Sequence, residues 1–328
     1  MEKAQQEENR EVQADKVITF LRRIGAYDFF QKIKQDTELA KEVSFEEYQE
    51  FLLRINGIAR NVPTAERKFD NELVILEGFS GEAVVPRQED KEILLAKSFD
   101  ARTDLQYPED NAYMLPAVLT AVHPFSDGNG RTSRVLNSLL TTYPSEEDFE
   151  VALRSSLGED GRYDSPDLNP SYLNLDIIEL LWERRGFLAE KLPDNLTRLR
   201  TGEQVTSEKA RKFSRMFDVE GRYCFMAMYS YLQSTGNFNA VLKNNSDFPK
   251  LKIENYKAIS LKKMEEIFTN EDWDNLLNEY YKIKKLSVEV LIDIFVKPED
   301  YLVPGTNSTL RDKFINAVKE NLASNHIA

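Results

Sequence analysis

Cysteine and histidine are almost missing from this chain. One cysteine, Cys224, stands among 328 residues. It excludes an intramolecular disulfide and a cysteine-rich zinc site, and it suits a reducing compartment. Two histidines, His123 and His326, are too few for a histidine-rich metal centre. Basic charge is in deficit, with 43 Lys and Arg against 56 Asp and Glu and a formal net charge of −13. Non-specific binding to nucleic acid or to an anionic membrane needs a basic footprint, so neither is expected as a partner. The longest apolar stretch, Ala112 to Val122, is broken by Pro116 and is too short to span a bilayer. The first residues, MEKAQQEENREVQ, carry neither a secretory apolar core nor the arginines of a transit peptide. A cytoplasmic protein is expected, although translocation into another cell by a dedicated machine would leave no mark of this kind.

What is present describes a folded, helical chain. Hydrophobic residues are 41% and charged residues 30%, ordinary for a soluble globular protein. The length allows a substantial core and two or three domains. Val17, Phe20, Leu21, Ile24 and Phe29 or Phe30 follow helical spacing and predict a helix from Val17 to Lys34. Ser44 with Glu47 forms a capping-box pattern that opens a second helix through Ile58. Two short β-prone runs, Leu73 to Leu76 and Ala83 to Pro86, flank a glycine-containing turn and predict a hairpin whose second strand is an edge. A helix over Asp110–Val122 then leads into a glycine-rich loop and a helix over Gly130–Thr142 that ends at Pro144. Amphipathic segments recur at 146–157, 171–190, 207–233, 256–267, 271–284, 286–296 and 308–322, and the 13 glycines and 12 prolines fall mostly between them. The fold class is therefore mainly α with one small hairpin. The polar segment 197–208 reads as a linker. Tyr223, Phe225, Tyr229 and Tyr231, with Cys224 among them, read as core, and the run Lys282 to Lys285 as a solvated face.

One stretch carries chemistry: His123-Pro-Phe-Ser-Asp127-Gly-Asn-Gly-Arg131-Thr-Ser-Arg134. Gly128 and Gly130 flank Asn129. That pattern lets the backbone take positive φ and turn its N–H groups inward as an anion-binding nest. The following helix adds its positive N-terminal end. Asp127 offers a hard oxygen suited to Mg²⁺ beside phosphates. Arg131 and Arg134, three apart, share a helix face in the first turn, where cations are unfavourable unless an anion lies between them. A neutral imidazole at His123 is a natural general base near pH 7. Base, metal ligand, nest and two arginines within twelve residues describe a phosphoryl- or nucleotidyl-transfer site.

This segment resembles the signature of the Fic (filamentation induced by cAMP) family, H-P-F-x-[D/E]-G-N-G-R-x-x-R, at every fixed position. The resemblance covers roughly residues 65–200. It implies a Fic-type helical bundle and transfer of AMP from ATP to a Tyr, Thr or Ser hydroxyl of a target protein. On that resemblance His123 deprotonates the hydroxyl, Asp127 holds Mg²⁺, and Asn129 with the Gly128 and Gly130 amides holds the phosphates. Arg131 neutralises the leaving pyrophosphate, Arg134 reaches the γ-phosphate, and Phe125 anchors the loop. It also implies a β-hairpin flap, here 76–87, that binds the target by strand addition. Three consecutive regions follow: an N-terminal helical region 1–62, the catalytic core 63–200 and a C-terminal helical domain 201–328.

Two matters stay open at the level of sequence. The inhibitory pattern [S/T]-x-x-x-E-[G/N] found in many such proteins is not matched: Glu8, Glu77, Glu220, Glu254 and Glu320 precede Gly or Asn, but Ala4, Leu73, Met216, Lys250 and Asn316 stand four before. Three alternatives stay open: an uninhibited protein, control by a separate regulatory protein, or inhibition by a diverged helix; a homodimer is a further candidate partner. The same loop also suits transfer of UMP, GMP, phosphocholine or phosphate, or removal of AMP. A helical interaction protein without catalysis is the alternative of another class.

Overall fold

The computed structural model describes residues 14–35, 37–60, 69, 73–75, 82–157, 168–184, 205–236 and 261–325. It is mainly helical. The chain divides into two compact units, one of 1–71, 88–173 and 288–328, the other of 72–87 and 174–287. These units interleave along the chain, unlike the three consecutive regions expected. The reason lies in two packing choices. The N-terminal helices share a core with the motif helices, and the hairpin packs on a helix from the second half of the chain.

In the first unit the N-terminal stretch forms α1 (14–23) and α2 (Ala26–Gln35) rather than one helix. Gly25 separates them with φ +61, a left-handed turn that a residue without Cβ adopts at little cost. After α3 (Thr37–Glu42), helix α4 (Phe45–Ala59) opens with the predicted capping box. The Glu47 N–H donates to Ser44 Oγ at 3.2 Å, and the Ser44 N–H donates to Glu47 Oε2 at 2.9 Å. Helix α5 (Gln88–Ala101) leads to α6 (Asn111–Val122), α7 (Asn129–Leu140) and α8 (Glu146–Leu157).

Helix α6 is apolar on every side and buried on nearly all of them, as a central helix must be. Its neighbours are α5 and α7, and α7 also packs on α2, α4 and α8. Pro116 lies inside α6 and has no N–H for the Ala112 carbonyl four residues earlier. Asn137 on α7 replaces it: its Nδ2 donates to Ala112 O at 2.6 Å. The proline that would weaken α6 thus becomes a polar cross-tie between the two helices that carry the motif. Further along, Ser133 Oγ donates to Pro116 O at 2.9 Å.

In the second unit β1 (Leu73–Ile75) and β2 (Glu82–Val84) pair antiparallel, Leu73 opposite Val84 and Ile75 opposite Glu82. The hairpin prediction holds for the described residues; 76–81, the first half of the expected flap, lie outside them. β2 packs on α10 (Glu208–Thr235), which also contacts α9 (Asn174–Arg184) and α11 (Leu261–Ile267). Tyr223, Cys224, Phe225 and Tyr231 are buried on α10, as their apolar setting suggested, and Tyr229 is half-buried. Helix α10 kinks at Glu220, whose φ −123 and ψ 43 leave the helical region. There its carboxylate accepts from Lys284 Nζ at 2.7 Å and from the Val84 N–H at 3.4 Å. Lys284, on the long helix α12 (Asn270–Val296), is therefore half-buried and paired, not part of a solvated lysine face. The final helix, α13 (Leu310–Asn325), belongs to the first unit. Most of the segment read as a linker, 197–204, falls outside the described residues. Among the described residues, no helix is long and apolar enough to cross a membrane.

Candidate active site

The loop between α6 and α7 holds the whole motif in one bend. Helix α6 ends at His123, which takes φ +50 and ψ 60 and is the one non-glycine residue of positive φ among those described. Such a backbone costs of order 1 kcal/mol, and left-handed helix ends usually carry glycine. Backbone strain of this kind clusters at functional sites. The His123 N–H still closes the helix on Leu119 O at 2.9 Å. Lys91 of α5, wholly buried, donates from Nζ to the His123 carbonyl at 3.3 Å. A cation at this negative helix end is favourable.

The His123 ring titrates below the ordinary imidazole value. Burial is the main cause, followed by the charge of Lys91. A hydrogen bond with the Thr120 backbone and the charge of Asp127 pull the other way. The net result keeps the ring neutral near pH 7, the state a general base requires.

Beyond His123 the loop is stapled by Asn129. The Phe125 N–H donates to Asn129 Oδ1 at 2.9 Å, and Asn129 Nδ2 donates to Phe125 O at 2.7 Å. Asn129 is only 2% exposed. The structure thus gives its side chain a different task from the expected phosphate contact: both amide atoms are engaged in shaping the bend. The Phe125 ring is buried as expected and meets Phe69 edge-on, with centroids 5.6 Å apart.

The two glycines divide their work. Gly128 has φ +78 and precedes the first turn of α7. A Cβ there would lie 2.9 Å from Arg60 Cγ and 2.9 Å from Asn56 Nδ2. Gly130 is not of positive φ; it lies in the first turn of α7, where a Cβ would stand 3.4 Å from an Arg134 guanidinium nitrogen. One glycine is thus required for backbone conformation and close approach, and the other leaves room beside an arginine. Gly128→Ala should destabilise the unit by about 1–3 kcal/mol in urea denaturation. Gly25→Ala, with nothing within 4 Å of its Cβ, isolates the left-handed cost of about 1–2 kcal/mol. Equal losses in the two variants would show that the approach of α4 to Gly128 carries no energy.

Charge converges on the same end of α7. The Asp127 side chain is 64% exposed. Its Oδ1 accepts from the Gly128 N–H at 2.6 Å, and its Oδ2 from Arg131 Nη2 at 3.1 Å. Arg60 Nε stands 3.7 Å from the same Oδ2. Arg131 Nη1 also donates to Ala59 O, at 2.8 Å, at the end of α4. Arg134 Nε donates to Ser156 O at 2.7 Å, near the end of α8. Both motif arginines are therefore held against the carbonyl ends of neighbouring helices, with the first-turn N–H groups of α7 beside them. Gly130 and Arg131 have no helical carbonyl to donate to. The carboxylate of Asp127 answers this positive charge from its own loop, and a polyphosphate is the other kind of anion the set suits.

Three residues here escaped sequence reading. Asn56 donates from Nδ2 to Asp127 O at 2.9 Å and to Thr132 Oγ1 at 3.2 Å, tying α4 to both sides of the bend. Arg60 adds charge, and Lys91 fixes the His123 carbonyl. Asn56 had a signal, a polar residue between Leu52, Leu53, Ile55 and Ala59 on a face that must be buried. Arg60 and Lys91 had none, being ordinary charges in polar stretches.

Among the described residues, no group of three or more His, Cys, Asp or Glu side chains is arranged to hold a metal ion. Asp127 alone offers an exposed hard oxygen. That fits Mg²⁺, which keeps several waters and takes one or two carboxylates beside substrate phosphates.

No curated protein and no solved structure is a significant match to the chain. Residues 36–141 match the Fic/DOC family. That span runs from α3 through α7 and so takes in α4, which sequence reading had placed before the core, together with its contacts to the motif loop through Asn56 and Arg60. From the helix that braces the loop to the helix that carries its arginines, this chain holds a Fic domain.

Proposed function

We propose that the protein is an adenylyltransferase that moves AMP from ATP to a hydroxyl side chain of a target protein. The observation that carries this reading is His123: a ring held neutral in a strained bend, on a loop whose other side gathers two arginines and a helix N-terminus. The ring takes the proton of the target hydroxyl. The hydroxyl oxygen then forms a bond to the α-phosphorus of ATP, and the bond from that phosphorus to the bridging oxygen breaks. Pyrophosphate leaves with the electron pair. Arg131, Arg134 and the amides of Gly130 and Arg131 oppose the charge that builds on the departing phosphates. Gly128 and Asn129 act on this reading by fixing the bend. Asp127 would hold Mg²⁺, which neutralises phosphate charge when bound. The target would add a strand to the hairpin of β1 and β2, whose second strand packs on α10 with its Val84 N–H engaged by Glu220.

Intact-mass measurement after incubation with ATP and Mg²⁺, on the protein alone and with candidate targets, tests the reaction type. The expected product carries one added AMP. An added phosphate in its place, or label from γ-labelled but not α-labelled ATP, would replace AMP transfer with phosphate transfer.

A further inference from the structure

We propose that the first unit has a second, unrelated binding site, for a small neutral aromatic molecule bearing a hydroxyl group. The site is a cavity of about 290 Å³ lined from α2, α4, α5, α6 and α7. It lies at the opposite ends of α6 and α7 from the His123 loop, where Asn111, Leu115 and Leu140 line it. A helix of twelve residues puts about 18 Å between the two places.

Its size and walls select the body of the ligand. An engineered cavity of about 150 Å³ accepts benzene, so this one has room for roughly two fused rings. Tyr48 and Phe99 stack across the wall with centroids 4.7 Å apart and an interplanar angle of 19°. Phe30 and Phe51 form a second aromatic pair at 5.2 Å. At the mouth Ile24 and Phe29 are 42% and 46% exposed, large apolar residues that water would otherwise meet.

The polar groups select the head. Two cations line the cavity, and both are committed to carbonyls. Lys34 Nζ donates to Leu140 O at 2.7 Å. The Arg102 guanidinium lies over the Phe99 ring at 3.5 Å and donates to Phe99 O and to Val43 O. The Glu47 carboxylate accepts from the Ser44 N–H in the capping box. Three buried polar atoms remain, the Arg102 Nε and two neutral ones. Among the described residues the Tyr48 hydroxyl and Asn111 Oδ1 are buried without a hydrogen-bond partner, and Tyr48 as a whole is 3% exposed. Asn111 Nδ2 donates to Arg102 O at 3.3 Å, which fixes Oδ1 as an acceptor. A buried orphan of either kind costs about 1–3 kcal/mol. A ligand hydroxyl answers them, donating to Asn111 Oδ1 and accepting from the Tyr48 hydroxyl and the Arg102 Nε. A carboxylate has nothing to donate to Oδ1, a hydrocarbon satisfies none of them, and an ammonium cannot accept and would sit beside two cations.

The test titrates the full chain with 1-naphthol, naphthalene and 1-naphthoate by calorimetry, using wild type, Tyr48→Phe and Ala26→Leu. Ala26 lines the cavity, and leucine there adds three carbons to the space. Wild type should bind 1-naphthol about tenfold more tightly than naphthalene or 1-naphthoate. Tyr48→Phe should weaken 1-naphthol by about two- to tenfold, the range of one neutral hydrogen bond, and leave naphthalene unchanged. Ala26→Leu should abolish saturable binding of 1-naphthol. Three results overturn the proposal: no saturable binding by wild type, which leaves a cavity that holds water alone; equal binding by Ala26→Leu, which marks an unspecific surface; or unchanged selectivity in Tyr48→Phe. Should Ala26→Leu fail to fold, Tyr48→Phe decides, because it removes an unpartnered hydroxyl and leaves the ring stack in place.

Discussion

His123→Ala should lower transfer to the target by about 10²–10⁴-fold, the usual contribution of a general base, while the affinity for ATP changes little. The ring takes a proton, and the phosphate-facing groups belong to α7 and its first turn, so one substitution separates the two. Calorimetry with ATP and intact-mass rates on the same preparation measure both. Transfer at the wild-type rate would remove His123 from the chemistry. The pH profile gives the same residue a second signature. Its titration point is lowered by burial and by Lys91, and a lowered point keeps the neutral base to more acid pH. The acid limb of kcat/KM should therefore fall below the ordinary imidazole value of about 6.5. Lys91→Met should move that limb upward. The linked effect on stability has a definite sign: as pH drops below about 6.5 the unfolded chain takes up the proton first, so the fold weakens until the lowered point is passed.

Asn129→Ala should be the most damaging substitution in the loop for stability. It removes the donor and the acceptor that hold Phe125, and it leaves a buried N–H and a buried carbonyl at a residue that is 1% exposed. At about 1–3 kcal/mol for each orphaned group, the loss should reach about 2–6 kcal/mol in urea denaturation. Asn129→Asp separates the two halves of the staple. Its carboxylate still accepts from the Phe125 N–H, but it sets a second acceptor against the Phe125 carbonyl, so it too should destabilise. In both variants ATP affinity should fall together with stability, because the loop has lost its shape. If Asn129→Ala kept wild-type stability and lost only ATP affinity, the side chain would be a phosphate ligand after all.

These two residues show what could be read before folding and what could not. The order of residue types along the motif was enough to place the candidate site on one bend, because a turn, a helix start and a pair of arginines leave a local signature. The direction of each side chain was not legible. Asn129 between two glycines suggests a ligand contact, and only the burial of Phe125 shows where its amide turns. Gly128 and Gly130 look alike in sequence, yet one has positive φ at the start of α7 and the other is helical in its first turn. The capping box of Ser44 and Glu47 was readable because its four residues contain their own partners. Lys284 was not, because its partner Glu220 is sixty-four positions away on another helix. The interleaving of the two units along the chain was not legible for the same reason: hydrophobic spacing says which face of a helix is buried but not against what.

The left-handed backbone at His123 has an effect on mutational drift. Most catalytic side chains are also welcome to their own main chain, so that losing them gains the fold nothing. Here the local geometry favours glycine, and a variant with glycine at that place would relax the bend while ending the chemistry. With His123 as the proposed base, selection for sturdiness alone would tend to silence the protein, and activity would need a pressure acting in the opposite sense.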